Sequence, residues 1–222
     1  MRYKAIIFDL DGVICHTDRY HYLAWKGLAD KLGVYFDEEI NNRLRGVSRM
    51  DSLEIILERY HGEELSQTNK EELADEKNEI YKQLLNRMTS DDLSPVVKNT
   101  LDMLREKGMK LAIGSSSKNA RLILKQIGLL NYFDVISDGT NITYSKPNPE
   151  VFIKAAYELD ISPSECLVVE DAVTGVEAAK AGGMDCAAIG NAVTSQSADY
   201  KLIDFSELLN VASLDNRNIA IR

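Results

Sequence analysis

Cysteine is scarce in this chain. The 222 residues hold three, Cys15, Cys166 and Cys186, and no two stand in a CxxC spacing. A set that small and odd excludes a disulfide framework and fits a reducing compartment. Positive charge is also short: 26 lysines and arginines face 35 acids, a net charge of −9. Nucleic acids and anionic membranes call for a basic footprint, so neither is an expected partner. An anionic substrate would need a locally positive pocket or a metal ion. Long apolar runs are missing as well. No stretch approaches the roughly 18–20 residues of a membrane span, and Met1 to Leu10 lacks the pattern of a signal peptide. There are no repeats and no low-complexity tract. The expectation is a soluble, cytoplasmic protein, and nothing in the sequence signals an oligomer rather than a monomer.

What is present is enough for a sizeable core: 45 % hydrophobic and 27 % charged residues, the balance of a globular chain of one α/β domain plus a smaller one. Short apolar runs read as buried strands that end in polar turns. Lys4–Phe8 runs into Asp9-Leu10-Asp11-Gly12, Lys110–Ile113 into Gly114-Ser115-Ser116-Ser117, and Cys166–Val169 into Glu170-Asp171. Phe133–Ile136 and Cys186–Ile189 are weaker candidates. Helical apolar spacing fills the gaps, as in Val97, Leu101 and Leu104, or Phe152, Ala155, Ala156 and Leu159. Strands and helices that alternate in this way predict right-handed crossovers and a parallel sheet.

Residues 17–88 break the alternation. They contain no strand-like run, while Trp25, Leu28 and Leu32, then Leu53, Ile56, Leu57 and Tyr60, recur at helical spacing. The pattern predicts an all-helical insert after the first strand. The core would comprise 1–16 and 89–222.

In an open parallel sheet, ligands collect outside the carboxyl ends of the strands. Asp9 and Asp11, the serines 115–117, and Glu170 with Asp171 each follow a strand, and Lys146-Pro147 follows the loop after a weaker one. Two carboxylates at x and x+2 can divide labour as nucleophile and general acid/base. Equally, Asp11-Gly12 can be a plain turn. Glu170-Asp171 reads as the opening of a helix, where acids serve as caps. The acids together form a set of oxygen ligands that suits Mg²⁺. Ser115 can donate to a phosphoryl oxygen, the Ser117-Lys118-Asn119 turn can offer N–H groups at a helix start, and Lys146 can act as a point charge. Taken singly, the serines are also a helix cap and the lysine a surface residue.

This order of motifs resembles the haloacid dehalogenase superfamily of phosphotransferases over essentially the whole chain. The resemblance implies an α/β fold, a Rossmann-like parallel-sheet core with an inserted all-helical cap domain. It implies that Asp9 is a nucleophile that becomes phosphorylated, that Asp11 is the general acid/base, and that Ser115 and Lys146 hold the transferring phosphoryl group. Mg²⁺ would sit on Asp9, the Asp11 carbonyl and Asp171, with Glu170 in or beside its shell.

The cap stretches Thr17–Lys26 and Leu44–Leu53, and Glu76-Lys77-Asn78, are similar to those of the superfamily's sugar phosphomutases. That likeness implies that Arg49, with Ser117, Lys118 and Asn119, holds a second, non-transferring phosphate. Trp25, Gly46, Val47, Ser48, Ser52 and Lys77 would line the sugar site. His21 and Lys77 would couple the cap to Asp11, Thr17 would lie in the hinge, and Ser116 would adjoin the phosphate loop. On the residues alone, Trp25 reads as core, His21 as a satisfied surface or interdomain side chain, and Arg49 and Lys77 as solvated. His16, Arg45 and Ser116 depart from the superfamily's usual residues.

The implied activity is an isomerase. Phosphorylated Asp9 gives its phosphoryl group to the 6-hydroxyl of β-glucose 1-phosphate, and the resulting 1,6-bisphosphate reorients and returns its 1-phosphate to Asp9, leaving glucose 6-phosphate. The alternative is a sugar-phosphate or phosphoglycolate-type phosphatase on the same core. A catalytically silent sensor would need a lost nucleophile or metal ligand, whereas Asp9, Asp11 and Asp171 are all present.

Overall fold

The computed structural model describes residues 2–44 and 48–214. The chain divides into two compact units, Met1–His16 with Thr89–Arg222, and Thr17–Met88.

The first unit is built on a parallel sheet. Its described strands are β1 (Ala5–Phe8), β2 (Lys110–Gly114), β3 (Val135–Ser137), β4 (Cys166–Glu170), β5 (Asp185–Ala188) and β6 (Tyr200–Lys201), in the order β3-β2-β1-β4-β5-β6. All pairings are parallel, with Ile7 opposite Ala112 on one side and Val168 on the other. β1, β2 and β4 are buried almost throughout, which is why they read as continuous apolar runs rather than alternations. The two-residue β6 is too short to leave a signal in the sequence.

Four helices, numbered here after the four of the second unit, follow the expected crossovers. They are α5 (Pro95–Glu106), α6 (Ala120–Gln126), α7 (Glu150–Glu158) and α8 (Val173–Ala181), and a short α9 (Leu208–Ala212) ends the described chain. α5 starts on a Ser94 cap followed by Pro95, whose missing N–H costs nothing in a first turn. Val151, Phe152, Ala155 and Ala156 of α7 join Val176, Ala178 and Ala179 of α8 against Ala5, Ile7, Ala112 and Val168 of the sheet. On the other face, the Phe8 ring lies 5.9 Å from that of Phe205 and 6.2 Å from that of Phe133. Cys15, Cys166 and Cys186 are buried and free.

The second unit is helical: α1 (Asp18–Lys31), α2 (Glu38–Arg43), α3 (Arg49–Leu57) and α4 (Gln67–Leu85). Asp37, Ser48 and Ser66 cap α2, α3 and α4 through their side chains. Its own core gathers Trp25, Leu28, Phe36, Ile40, Leu53 and Ile56. No helix among the described residues is long and apolar enough to cross a membrane.

Candidate active site

The sheet order reverses at β1, because the chain adds β2 and β3 on one side and then β4 to β6 on the other. Neighbouring strands whose connections leave in opposite directions open a crevice at their carboxyl ends. Asp9 follows β1 there, and its N–H donates to the Val169 carbonyl at 2.9 Å, which extends the ladder by one residue. Glu170 closes β4 beside it. The expected helix start at Glu170 is corrected: Glu170 is still strand, Ala172 is the cap position, and α8 begins at Val173.

Lys146 joins these two strand ends. Its ammonium bridges the Asp9 and Glu170 carboxylates and lies 4.7 Å above the Phe152 ring. The side chains of all three are at most 10 % exposed. The surface-lysine reading therefore fails for Lys146. A cis Lys146–Pro147 bond follows it. The other Glu170 oxygen accepts the Ala172 N–H at 3.0 Å. Both oxygens of Glu170 are thus engaged, one by the lysine and one by the backbone.

Two glycines make room for this cluster. A Cβ on Gly175 would fall 1.9 Å from the Glu170 carboxyl carbon. Gly12, at φ +85°, has no side chain where the Asp171 carboxylate lies, 2.1 Å from a would-be Cβ. The Asp11-Gly12 turn and Asp171 are therefore packed against each other.

Electrostatically the crevice gathers carboxylates around Lys146. Burial pushes the Asp9 carboxyl well above its ordinary range, Lys146 pulls it back, and Glu170 and Asp11 push it up again. Burial works against the Lys146 charge, but Asp9 and Glu170 outweigh it and keep the lysine protonated. Lys146 thus serves Asp9 and Glu170 together, and a second cation on the open side would hold Asp9 ionised. Among the described residues no three His, Cys, Asp or Glu side chains form a closed metal cage. A hard divalent ion needs none, since it binds through one or two carboxylates and keeps waters or substrate oxygens in its other positions. The donor set of Asp9, Asp171 and the Asp11 backbone fits such an ion.

The loop after β2 completes the core cluster. Ser115 is buried, and its N–H donates to the Ser137 carbonyl at 3.1 Å. Its hydroxyl accepts the Ser117 N–H, and the Ser117 hydroxyl accepts the Asn119 N–H, each at 3.2 Å. Two N–H groups expected to be open to a phosphate are therefore already bonded within the loop. Lys118 is exposed, Asn119 is buried at the start of α6, and the Ser116 hydroxyl accepts the Lys146 N–H at 3.4 Å.

In the helical unit the predicted residues converge separately. Lys77 on α4 is 4 % exposed. Its ammonium stands 4.6 Å from the centre of the Trp25 ring, 4.8 Å from that of Tyr81, and 3.1 Å from His21 Nδ1. Lys77 is therefore a caged cation rather than a solvated one, and Trp25 is both core and cage wall. His21 stacks on Tyr81 at 4.1 Å. Burial, then the charges of Lys77 and Arg49, hold His21 well below the usual imidazole range. Arg49 Nη2 donates to Asn78 Oδ1 at 3.0 Å, with Asp75 3.7 Å from Nη1. Ser48 is the cap of α3, Ser52 is buried one turn on, and Thr17 is buried ahead of α1. Gly46 and Val47, like Arg45, lie outside the described residues. Sequence reasoning missed Tyr81, although the Lys77-to-Tyr81 spacing of one helical turn carried the signal.

The chain as a whole is similar to known proteins. A family model described as haloacid dehalogenase-like hydrolase matches residues 3–183. A β-phosphoglucomutase of Bacillus subtilis is 41 % identical over 92 % of this chain and 91 % of its own length. A fructose-1-phosphate phosphatase of Escherichia coli is 30 % identical over 83 % of this chain and 95 % of its own. Among solved structures, a β-phosphoglucomutase of Clostridium difficile superposes with a TM-score of 0.83 at 34 % identity, covering 95 % of this chain and 96 % of that one.

Proposed function

The chain belongs to the haloacid dehalogenase-like hydrolase family, and from that premise we propose that it is a β-phosphoglucomutase, an isomerase of β-glucose 1-phosphate and glucose 6-phosphate. The observation that carries this reading is the likeness to a β-phosphoglucomutase over both units of the chain. The phosphatase relative shares the same core at lower identity.

Asp9, at the tip of the central strand, attacks the phosphoryl group and carries it as an aspartyl phosphate. Asp11 deprotonates the incoming sugar hydroxyl and protonates the leaving one. Lys146 neutralises charge on the transferring group, Glu170 holds Lys146 in place, and Ser115 donates to a phosphoryl oxygen. Asp9, Asp171 and the Asp11 carbonyl would hold Mg²⁺, which supplies charge neutralisation for the phosphoryl oxygens when bound. Phosphoryl transfer depends mainly on positioning and electrostatics, and this cluster provides both.

The bisphosphate formed by the first transfer must turn around and present its other phosphate. Arg49, Ser117, Lys118 and Asn119 hold the phosphate that is not in transfer. Trp25, Ser48, Ser52 and Lys77, with Gly46 and Val47, contact the sugar. His21 and Lys77 link cap and general acid/base, Thr17 serves the hinge, and Ser116 supports the phosphate loop. The acceptor hydroxyl must outcompete water, and positioning of this kind supplies about 7–11 kcal/mol.

The test is direct. Incubated with β-glucose 1-phosphate, Mg²⁺ and a trace of the 1,6-bisphosphate, the protein should form glucose 6-phosphate faster than free phosphate. Rapid release of inorganic phosphate without glucose 6-phosphate would make it a phosphatase.

A further inference from the structure

The turn after β3, residues 138–141, takes no part in the chemistry above, yet it is built against the phosphate loop. Gly139 is buried, and its N–H donates to the Ser117 carbonyl at 3.1 Å. A Cβ on Gly139 would lie 2.4 Å from the Ser116 carbonyl oxygen, 2.8 Å from the Lys118 nitrogen and 2.9 Å from the Ser117 carbonyl carbon. All three obstructing atoms are backbone. They cannot swing aside as a side chain would, so a larger residue at 139 must displace the loop itself or the turn.

The turn is firmly held. Asp138 is fully buried. Its Oδ1 accepts from the Thr140 N–H at 2.9 Å and the Thr140 hydroxyl at 2.5 Å. Its own N–H donates to Asn141 Oδ1 at 3.0 Å. Its Oδ2 faces Arg121 Nε at 3.1 Å, and Arg121 Nη2 donates to the Ile136 carbonyl at 3.1 Å. Arg121 lies in the first turn of α6, just beyond the phosphate loop. The loop is therefore fixed at Ser115 by the Ser137 carbonyl, beyond Asn119 by the Arg121 clamp, and in the middle by Gly139.

We propose that Gly139 is a positioning residue for the phosphate that is not being transferred: its missing side chain lets the post-β3 turn seat the backbone of residues 116–118. The proposal rests on the phosphomutase reading, in which Ser117 and Lys118 receive that phosphate. Asp9, Asp11 and Asp171 belong to other strand ends, and of the transfer position only Ser115 and Lys146 touch the loop, through the Ser117 N–H and the Ser116 hydroxyl, so a substitution at 139 acts more strongly on the second phosphate than on transfer.

The experiment uses Gly139→Ala in two backgrounds. With Asp9→Asn present to prevent transfer, titration calorimetry gives the Kd for β-glucose 1,6-bisphosphate. With Asp9 intact, hydrolysis of acetyl phosphate reports the transfer position alone, because this probe carries no second phosphate. The expected result is a Kd at least about tenfold weaker, with a clearly smaller loss in acetyl phosphate turnover. An unchanged Kd, or equal losses in both measurements, overturns the proposal. If Gly139→Ala does not fold, Thr140→Ala removes the hydroxyl that braces Asp138 and adds no atom. It should weaken the bisphosphate about two- to threefold, and no change there overturns the proposal equally. A parent that binds the bisphosphate but forms no glucose 6-phosphate defeats the mutase reading alone, because the effect of residue 139 on Kd is read without turnover.

Discussion

Lys146 concentrates the electrostatics of the crevice in one side chain. It carries a single positive charge between two carboxylates and rests on the Phe152 ring. Removing that charge leaves Asp9 and Glu170 facing each other in a buried site. Lys146→Gln should lower kcat about 10²–10³-fold, the scale on which a lost electrostatic stabiliser acts, as measured by glucose 6-phosphate formation. It should also reduce stability, because breaking a buried ion pair from one side costs about 3–5 kcal/mol. Asp9 and Asp11 were legible in the sequence because they follow a strand directly. Lys146 was legible only through the order of motifs, since nothing around it shows that its ammonium is buried. The cage around Lys77 was half legible: Trp25 and Lys77 were named, but the aromatic partner one turn beyond Lys77 was not.

At the level of elements, the buried strands were readable because both of their faces are covered, so their apolar runs are unbroken. Helix faces were readable from their spacing. The two-residue β6 had no pattern to read, and the acids after β4 suggested a helix that starts two residues later. That misreading has a physical basis, since Glu170 does accept an N–H ahead of α8, but from the end of a strand. α7 is the element that links packing to chemistry. Phe152 is fully buried against the sheet and also forms the floor under Lys146. Phe152→Ala should cost about 3–5 kcal/mol in denaturant unfolding and lower kcat as well. A loss of stability with unchanged kcat would show that the ring supports the sheet and not the lysine.

For the molecule as a whole, the charge of −9 conceals a local reversal. The helical unit buries Lys77 beside His21, with the partly exposed Arg49 acting on the same imidazole, and this gives a pH dependence with a definite sign. Burial and the two neighbouring cations keep His21 neutral in the fold, whereas the unfolded chain protonates it near its ordinary value of about 6.5. The unfolded state therefore binds the extra proton below that value. Stability is complete above about pH 6.5 and is lost as the pH falls toward the lower folded value. The unfolding midpoint followed by Trp25, the chain's one tryptophan, should drop between about pH 7.5 and about 5.5. His21→Phe should remove most of that slope, and an unchanged slope in this variant would place the titration elsewhere.

The position of β1 has a consequence for how the protein is made. β1 is the second element's neighbour in sequence but the central strand in space, and it pairs with residues from 110 and from 166 onward. The helical unit is contiguous, 17–88, and is complete before either partner strand has been synthesised. At about 5–20 residues per second on the ribosome, β1 waits on the order of ten seconds for β4. During that wait Ala5–Phe8 is an unpaired apolar edge in a nascent chain, exposed to whatever chaperone meets it first.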